Sequence, residues 1–453
     1  MFRALRHLVS SPSSTFYQRK ATARSFSFFG LGAAISATVI LAQSQCEDAR
    51  TEENTAPAQF TGNVCIFSGG TGFNQSSRVL KEVCPRVHYI LPISDDGGST
   101  AEIIRTLGGP SIGDIRSRLL NLASDGTEEC KNVKRLLQHR LSLDSEASAK
   151  AEWNEIVEGN HPYWDGISPA YKATIRRFLV VFADQILTRG CDFQFRNGSI
   201  GNFFFTGSRI FFASVEAAIF WFSRVAAIPS TSSVIPVVVV DHSITVGAYL
   251  ADGHTIIGQH NISHPTGYAL PQVNTELVEP PAPRLVDKGK FSPLPSPIDR
   301  IFYVNTDKQV ITPKVNPRAI QAIQTSDRIV YSMGSLYTSI IPTLILPGVG
   351  EAIAESGRKK KILIFNGQKD RESGEMTPLD CVVAVSRALN RYQHNDQVRE
   401  SDYINTVVIP SSLKVCPCQE DQLSHLGIHL VRLPTIGGYY DDKVLVDYLT
   451  SQS

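Results

Sequence analysis

Three short stretches combine glycines, carboxylates and hydroxyls in patterns that serve phosphate chemistry. Ser68-Gly69-Gly70-Thr71-Gly72 follows an apolar run from Val64 to Phe67. Glycines there allow positive φ and remove the Cβ atoms that would hold a ligand away, while a helix starting just after them offers unpaired N–H groups and a partial positive charge. That is a phosphate cradle in outline, although it matches neither Gly-Lys-Ser/Thr nor GxGxxG spacing. Asp95 and Asp96 close a second apolar run and precede Gly97-Gly98-Ser99-Thr100. Two adjacent carboxylates beside a phosphate site need Mg²⁺, a hydroxyl or an arginine to stay ionised, so metal binding or general-base work is expected of them. One of the pair is also expected to cap a helix near Ser99. Asp114 follows as a helix cap or a further ligand, and Arg116 as a phosphate contact or a surface ion pair. In the third stretch, Gly334-Ser335-Leu336-Tyr337-Thr338-Ser339, backbone N–H groups and the hydroxyls of Ser335, Thr338 and Ser339 offer themselves to another anion. Two such loops on one sheet edge imply a diphosphate or nucleotide.

These turns meet only if strands and helices place them together. Val64 to Phe67 and Val87 to Ile93 read as buried parallel strands, with a helix to about Val83 between them. That unit opens a doubly wound α/β sheet whose loops sit at the carboxyl edge. Val234 to Val240, Ile329 to Ser332, Lys361 to Phe365 and Val407 to Pro410 read as further strands, and Ser214 to Ala227 as a helix. A hairpin is expected over 248–258 with its turn at Asp252-Gly253. Residues 128–195 read as a helical insertion or cap, and eight prolines between 265 and 297 as a long surface loop.

Composition bounds the class. The chain has 453 residues, 42% of them hydrophobic and 19% charged, which is globular and excludes disordered or collagen-like types. The eight cysteines show no CxxC pair, so free thiols are expected rather than a disulfide framework, and Cys416-Pro-Cys418 is read as structural. Residues 1–46 contain Arg3, Arg6, Arg19, Lys20 and Arg24, many serines and no acidic residue, the make-up of a mitochondrial transit peptide. Within them, 26–42 is an uncharged apolar run just short of the ~20 residues that span a bilayer, the one place where membrane contact is expected. An acidic linker over 47–62 leads to the main domain, 63–450. Without the leader, acidic residues outnumber basic ones, which argues against a nucleic-acid binder.

Taken together, "SGGTG", "SDDGGST", "GPSIGDIRSRLLNLA", "NGSIGNFFFTG" and "GSLYTSIIPTLILPGVGEAI" resemble, in order and over roughly half the chain, the CofD-like superfamily. It includes 2-phospho-L-lactate transferases and gluconeogenesis factors of the YvcK type. The resemblance implies a Rossmann-like three-layer α/β sandwich with a mostly parallel sheet. It also implies Mg²⁺-assisted transfer of a phospholactyl-type group from a guanosine diphosphate-linked donor to an acceptor hydroxyl. Gly69, Gly70, Thr71 and Gly72 would hold phosphate, Asp95 and Asp96 the metal or acceptor hydroxyl, and Asn202 the nucleotide or acceptor. Gly334, Ser335, Leu336, Tyr337 and Thr338 would complete the cradle. The wording of the second and third motifs is closer to the YvcK branch, where a non-catalytic regulator would bind a nucleotide sugar. A homo-oligomer is expected in either case. A dinucleotide oxidoreductase ranks last: GxGxxG is missing, and His242 and His254 read as surface or hairpin histidines.

Overall fold

The computed structural model describes residues 60–190, 192–263, 293–357, 359–393 and 398–451. The expected leader, its apolar run 26–42 and most of the proline-rich stretch lie outside the described residues. Among the described residues no helix is long and apolar enough to cross a membrane.

Two sheets carry the strands that position the site. Strands β1 (Asn63–Phe67), β2 (Arg86–Leu91) and β3 (Ser232–Pro236) belong to the larger one. Strands β4 (Ile244–Leu250), β5 (Thr255–Ile257), β6 (Ile298–Asn305) and β7 (Val310–Ile311) form the smaller, and β8 (Arg328–Tyr331), β9 (Lys360–Ile364), β10 (Thr406–Pro410) and β11 (His429–Leu433) return to the larger. Its order is β11-β10-β9-β8-β1-β2-β3, and every neighbouring pair is parallel. Of the apolar runs read as strands, β1, β8 and β10 lie inside the sheet and are buried along nearly their whole length because helices cover both faces, while the run from Val234 forms the edge strand β3. A Rossmann-like α/β sandwich is the result.

The boundaries differ in physically simple ways. The run expected to continue as strand to Val240 leaves the larger sheet after Pro236. The Val237 N–H donates a last bond to the Leu91 carbonyl at 2.9 Å, and Val238 pairs with Val315 instead. The hairpin over 248–258 is present, with Gly253 at φ +89°, and it belongs to the antiparallel order β5-β4-β6-β7.

Helices α1 (Asn74–Val83), α2 (Gly98–Leu107) and α3 (Gly113–Leu122) follow the first two strands. A helical block then runs through α4 (Glu128–Gln138), α5 (Glu146–Glu158), α6 (Pro169–Arg189), α7 (Ile200–Phe212) and α8 (Val215–Val225). Trp153, Phe182 and Phe203 knit it together, the last two stacked at 4.5 Å. α6 and α7 cross so closely that a Cβ on Gly207 would strike the Phe178 carbonyl oxygen, a backbone atom that cannot swing aside. Gly207→Ala should therefore cost about 1–3 kcal/mol by overpacking. Urea unfolding would show this as a lower midpoint at unchanged slope, and an unmoved midpoint would mean the two helices part freely.

Candidate functional site

From β1 the chain runs outward through β2 and β3, then crosses back to β8 on the other side of β1. Loops leaving the neighbours β1 and β8 therefore part in opposite directions and open a crevice at their carboxyl ends. A cleft of about 530 Å³ lies there. The three chemistry-bearing turns meet in it. Gly69, Gly70, Thr71, Gly72, Asp95, Arg116, Asn202, Gly334, Ser335 and Thr338 line it, whereas Asp96, Leu336 and Tyr337 lie outside the lining.

The glycine loop is held from beneath by α3. Arg118 is fully buried; its Nη1 donates to the Phe73 carbonyl and Ser77 Oγ at 3.1 and 2.8 Å, and its Nη2 to the Gly69 carbonyl and Ser68 Oγ at 3.1 and 3.3 Å. Ser117 Oγ takes the Gly70 carbonyl at 2.9 Å. With these loop carbonyls drawn toward α3, the Thr71 and Gly72 N–H groups find no protein acceptor among the described residues. The positive φ expected of these glycines is absent at 69, 70 and 72. They are small so that the turns can touch each other. A Cβ on Gly70 would sit 2.7 Å from Asp114 Cα, and one on Gly72 2.7 Å from the Met333 carbonyl oxygen.

α1, α2 and α3 all begin at this rim without a side-chain cap, at Phe73, Gly97 and Ile112. In the helical block, by contrast, Thr127, Ser145, Ser199 and Ser214 each cap their helix with a hydroxyl. Three uncapped helix starts leave N–H groups and partial positive charge directed at one space. Arg116 adds a full charge. Its Nε donates to Asn202 Oδ1 at 2.6 Å, and Asn202 Nδ2 reaches Ser99 Oγ at 2.9 Å, so Asn202 links α7, α3 and the start of α2. Ser199 caps α7 through the Asn202 N–H, and the Asn202 side chain, 1% exposed, lies in this network. Arg140, from the helical block, also lines the cleft.

Asp95 and Asp96 point opposite ways. Asp95 faces the cleft and accepts from Gly97 N–H at 3.1 Å. Asp96 accepts from Thr245 Oγ1, Gln259 N–H and His260 N–H at 3.0, 3.0 and 2.7 Å. It does cap a helix, the short Gln259–Ser263 one rather than α2, and so fixes the smaller sheet to the rim. Asp114 takes its place as the second cleft carboxylate. It accepts from Gly70 N–H, and its Oδ2 is buried without a partner among the described residues. Burial, then the charge of Asp114, pushes the Asp95 carboxyl up to about 8. Burial pushes Asp114 up to about 6 against the pull of the Gly70 N–H and Arg118. Burial lowers Arg116 to about 10, with Arg140 adding to the effect.

The third turn is a π-turn, Leu336–Ile340, and the protein fills part of it itself. Glu372 Oε2 accepts from the Tyr337 and Thr338 N–H groups at 3.1 and 3.0 Å. Glu372 Oε1 accepts from the hydroxyls of Thr338, at 2.5 Å, and Ser263. The carboxylate is 5% exposed, and burial, then Asp370, pushes it up to about 7. Asn366 clamps Gly334 with a pair of 2.8 Å bonds. What remains open to the cleft on this side is Gly334, Ser335 and Ser339 with the edge of Thr338.

Residues 64–426 match the family described as 2-phospho-L-lactate transferase CofD. This chain belongs to the CofD family. Among curated proteins, the CofD-family chain is 36% identical over 409 residues to an uncharacterised protein of Saccharomyces cerevisiae, covering 76% of this chain and 89% of that one. It is 25% identical to a putative gluconeogenesis factor of Nostoc, covering 74% of this chain and 54% of the relative, and 22% identical to one of Streptococcus pyogenes, covering 76% and 77%. A crystal structure of a upf0052-family protein from Bacillus halodurans shares the fold at TM-score 0.57 and 20% identity, covering 86% of this chain and all of that one.

The raised Asp95 gives the CofD-family fold a pH signature. Between about 4, the unfolded value, and 8 the folded state binds more protons than the unfolded one, so stability falls as pH rises through that window. Asp95→Asn should flatten this slope and raise the thermal midpoint at pH 8 by about 2 °C in the absence of divalent cations. Thermal scans at pH 5 and pH 8 check it; a variant with the parent's slope would place the titrating group elsewhere.

Proposed function

We propose that this protein is a CofD-type transferase that binds a nucleoside diphosphate-linked donor. By the family resemblance the donor is guanosine-linked, and a phospholactyl-type group moves from it to an acceptor hydroxyl with help from Mg²⁺. The observation that carries this reading is the convergence of three uncapped helix N-termini, Arg116 and the Asp95–Asp114 pair on one cleft. The loop amides of Thr71 and Gly72 bind phosphate, Arg116 neutralises it, and Asn202 holds Arg116 in place. Positioning and charge neutralisation supply the rate, since phosphoryl-type transfer leaves little covalent chemistry to side chains.

The residues present fit a hard divalent cation. Asp95 and Asp114 are two oxygen donors facing one space, one with an orphaned oxygen, and no third acidic, histidine or cysteine side chain joins them among the described residues. Mg²⁺ suits such a half-shell because it takes one or two carboxylates and completes its coordination with substrate phosphates and water. When bound, it would supply charge neutralisation at the diphosphate. Asp96 is left with a supporting part, orienting Gln259 and His260 in the cleft wall. The basic, acid-free leader supports a mitochondrial location for this activity, and the homo-oligomer expected from the sequence stands as part of the same proposal.

A second reading follows from the curated relatives named as gluconeogenesis factors and from Glu372, which already occupies one anion-binding turn. In it, the cleft binds a nucleotide sugar and turns nothing over. Titration calorimetry with GDP- and UDP-linked ligands and Mg²⁺, followed by product analysis, separates the two. The transferase reading expects release of nucleoside monophosphate that Asp95→Asn and Asp114→Asn each reduce about 10²–10³-fold, while ligand affinity changes far less. Tight binding without release for any acceptor favours the regulator, and absence of binding overturns both.

A further inference from the structure

Cys416 and Cys418 stand apart from the other described cysteines. Cys65, Cys84, Cys130 and Cys381 are buried, whereas Cys416 and Cys418 are both exposed. Their sulfurs are 2.9 Å apart. Pro417 between them occupies the first position of the Pro417–His425 helix, where its fixed φ suits the helix start. Cys416 is the residue preceding that helix, and its side chain makes no cap bond to the helix amides. Neither sulfur packs into the core.

We infer that Cys416 and Cys418 form a thiol–disulfide exchange site, open to low-molecular-weight disulfides and separate from the cleft. The two positions differ in chemistry. The Cys418 thiol against it lowers Cys416 below the ordinary thiol range, while the same sulfur contact raises Cys418. Burial pushes Cys65, Cys84 and Cys381 upward. Reactivity follows thiolate character and exposure, so Cys416 is the attacking group and Cys418 the resolving one. In the first step the Cys416 thiolate bonds to one sulfur of the small disulfide, whose S–S bond breaks and releases one thiolate. In the second, the Cys418 thiolate attacks Cys416 Sγ, and the second small thiolate leaves. Two protein thiols are oxidised, one small disulfide is reduced to two thiols, and the two protons pass to them.

The test uses the full chain, exposed to graded ratios of oxidised to reduced glutathione, alkylated without denaturant, digested and weighed. The peptide spanning 416–418 should lose two hydrogens as the ratio rises. Cys418→Ser should accumulate a glutathione adduct on Cys416, and Cys416→Ser should react at least ~10-fold more slowly. Both serine variants should fold, because both side chains are in solvent. A wild-type chain that keeps both sulfurs open to alkylation at every ratio would overturn the inference. So would equal reaction rates in the two variants.

Discussion

Arg118 is the interaction on which the site depends. A fully buried guanidinium must find acceptors, and here its two terminal nitrogens find four, two carbonyls and two hydroxyls of the glycine loop and the start of α1. Ser117, the residue before Arg118, donates to the Gly70 carbonyl at 2.9 Å, and the N–H of that peptide, on Thr71, finds no protein acceptor among the described residues. Tyr89 lies 5.0 Å from the same guanidinium and closes its other side with an aromatic face. The shape of the loop is thus held by a positive charge buried beneath it.

The same economy recurs around the rim. Each turn that reaches the cleft is fixed by one side chain from a distant part of the chain: Asp96 holds the Gln259–Ser263 helix, Asn202 joins three helices, and Asn366 clamps Gly334. Such second supports keep charged groups in place before a ligand arrives, which is what electrostatic stabilisation requires. They also explain the raised carboxyls of Asp95 and Asp114. Packing turns tightly enough to exclude water leaves Asp95 and Asp114 short of solvation, a state that a cation or a proton relieves.

Much of this was legible in the sequence, for reasons that can be named. The central strands are unbroken apolar runs and the first loop is a cluster of glycines, so the parallel sheet and the edge where the turns meet follow from local pattern alone. The second sheet was not legible beyond one hairpin, because its partner strand β6 lies past the proline-rich stretch. Asp95 and Asp96 are neighbours of identical type, and nothing local says which one faces the cleft; that is decided by β4 and the Gln259–Ser263 helix, whose groups bond to Asp96. Asp114 was legible as a helix cap or a further ligand, whereas Arg118 sits in a helical pattern where bases are ordinary. Arg140 falls in the stretch read as a helical insertion or cap and Glu372 in none of the stretches singled out, so neither carries a local signal.

Glu372 has a consequence for how wide a range of molecules the crevice admits. The backbone donors of the π-turn are already satisfied by a carboxylate anchored on the segment after β9, so this end of the crevice is closed to a guest's terminal acidic group. Relatives in which that segment is shorter, or carries a neutral residue there, would present an empty cup and accommodate a guest longer by one anion. Preference among guests would then diverge within the family through a residue that never meets any of them.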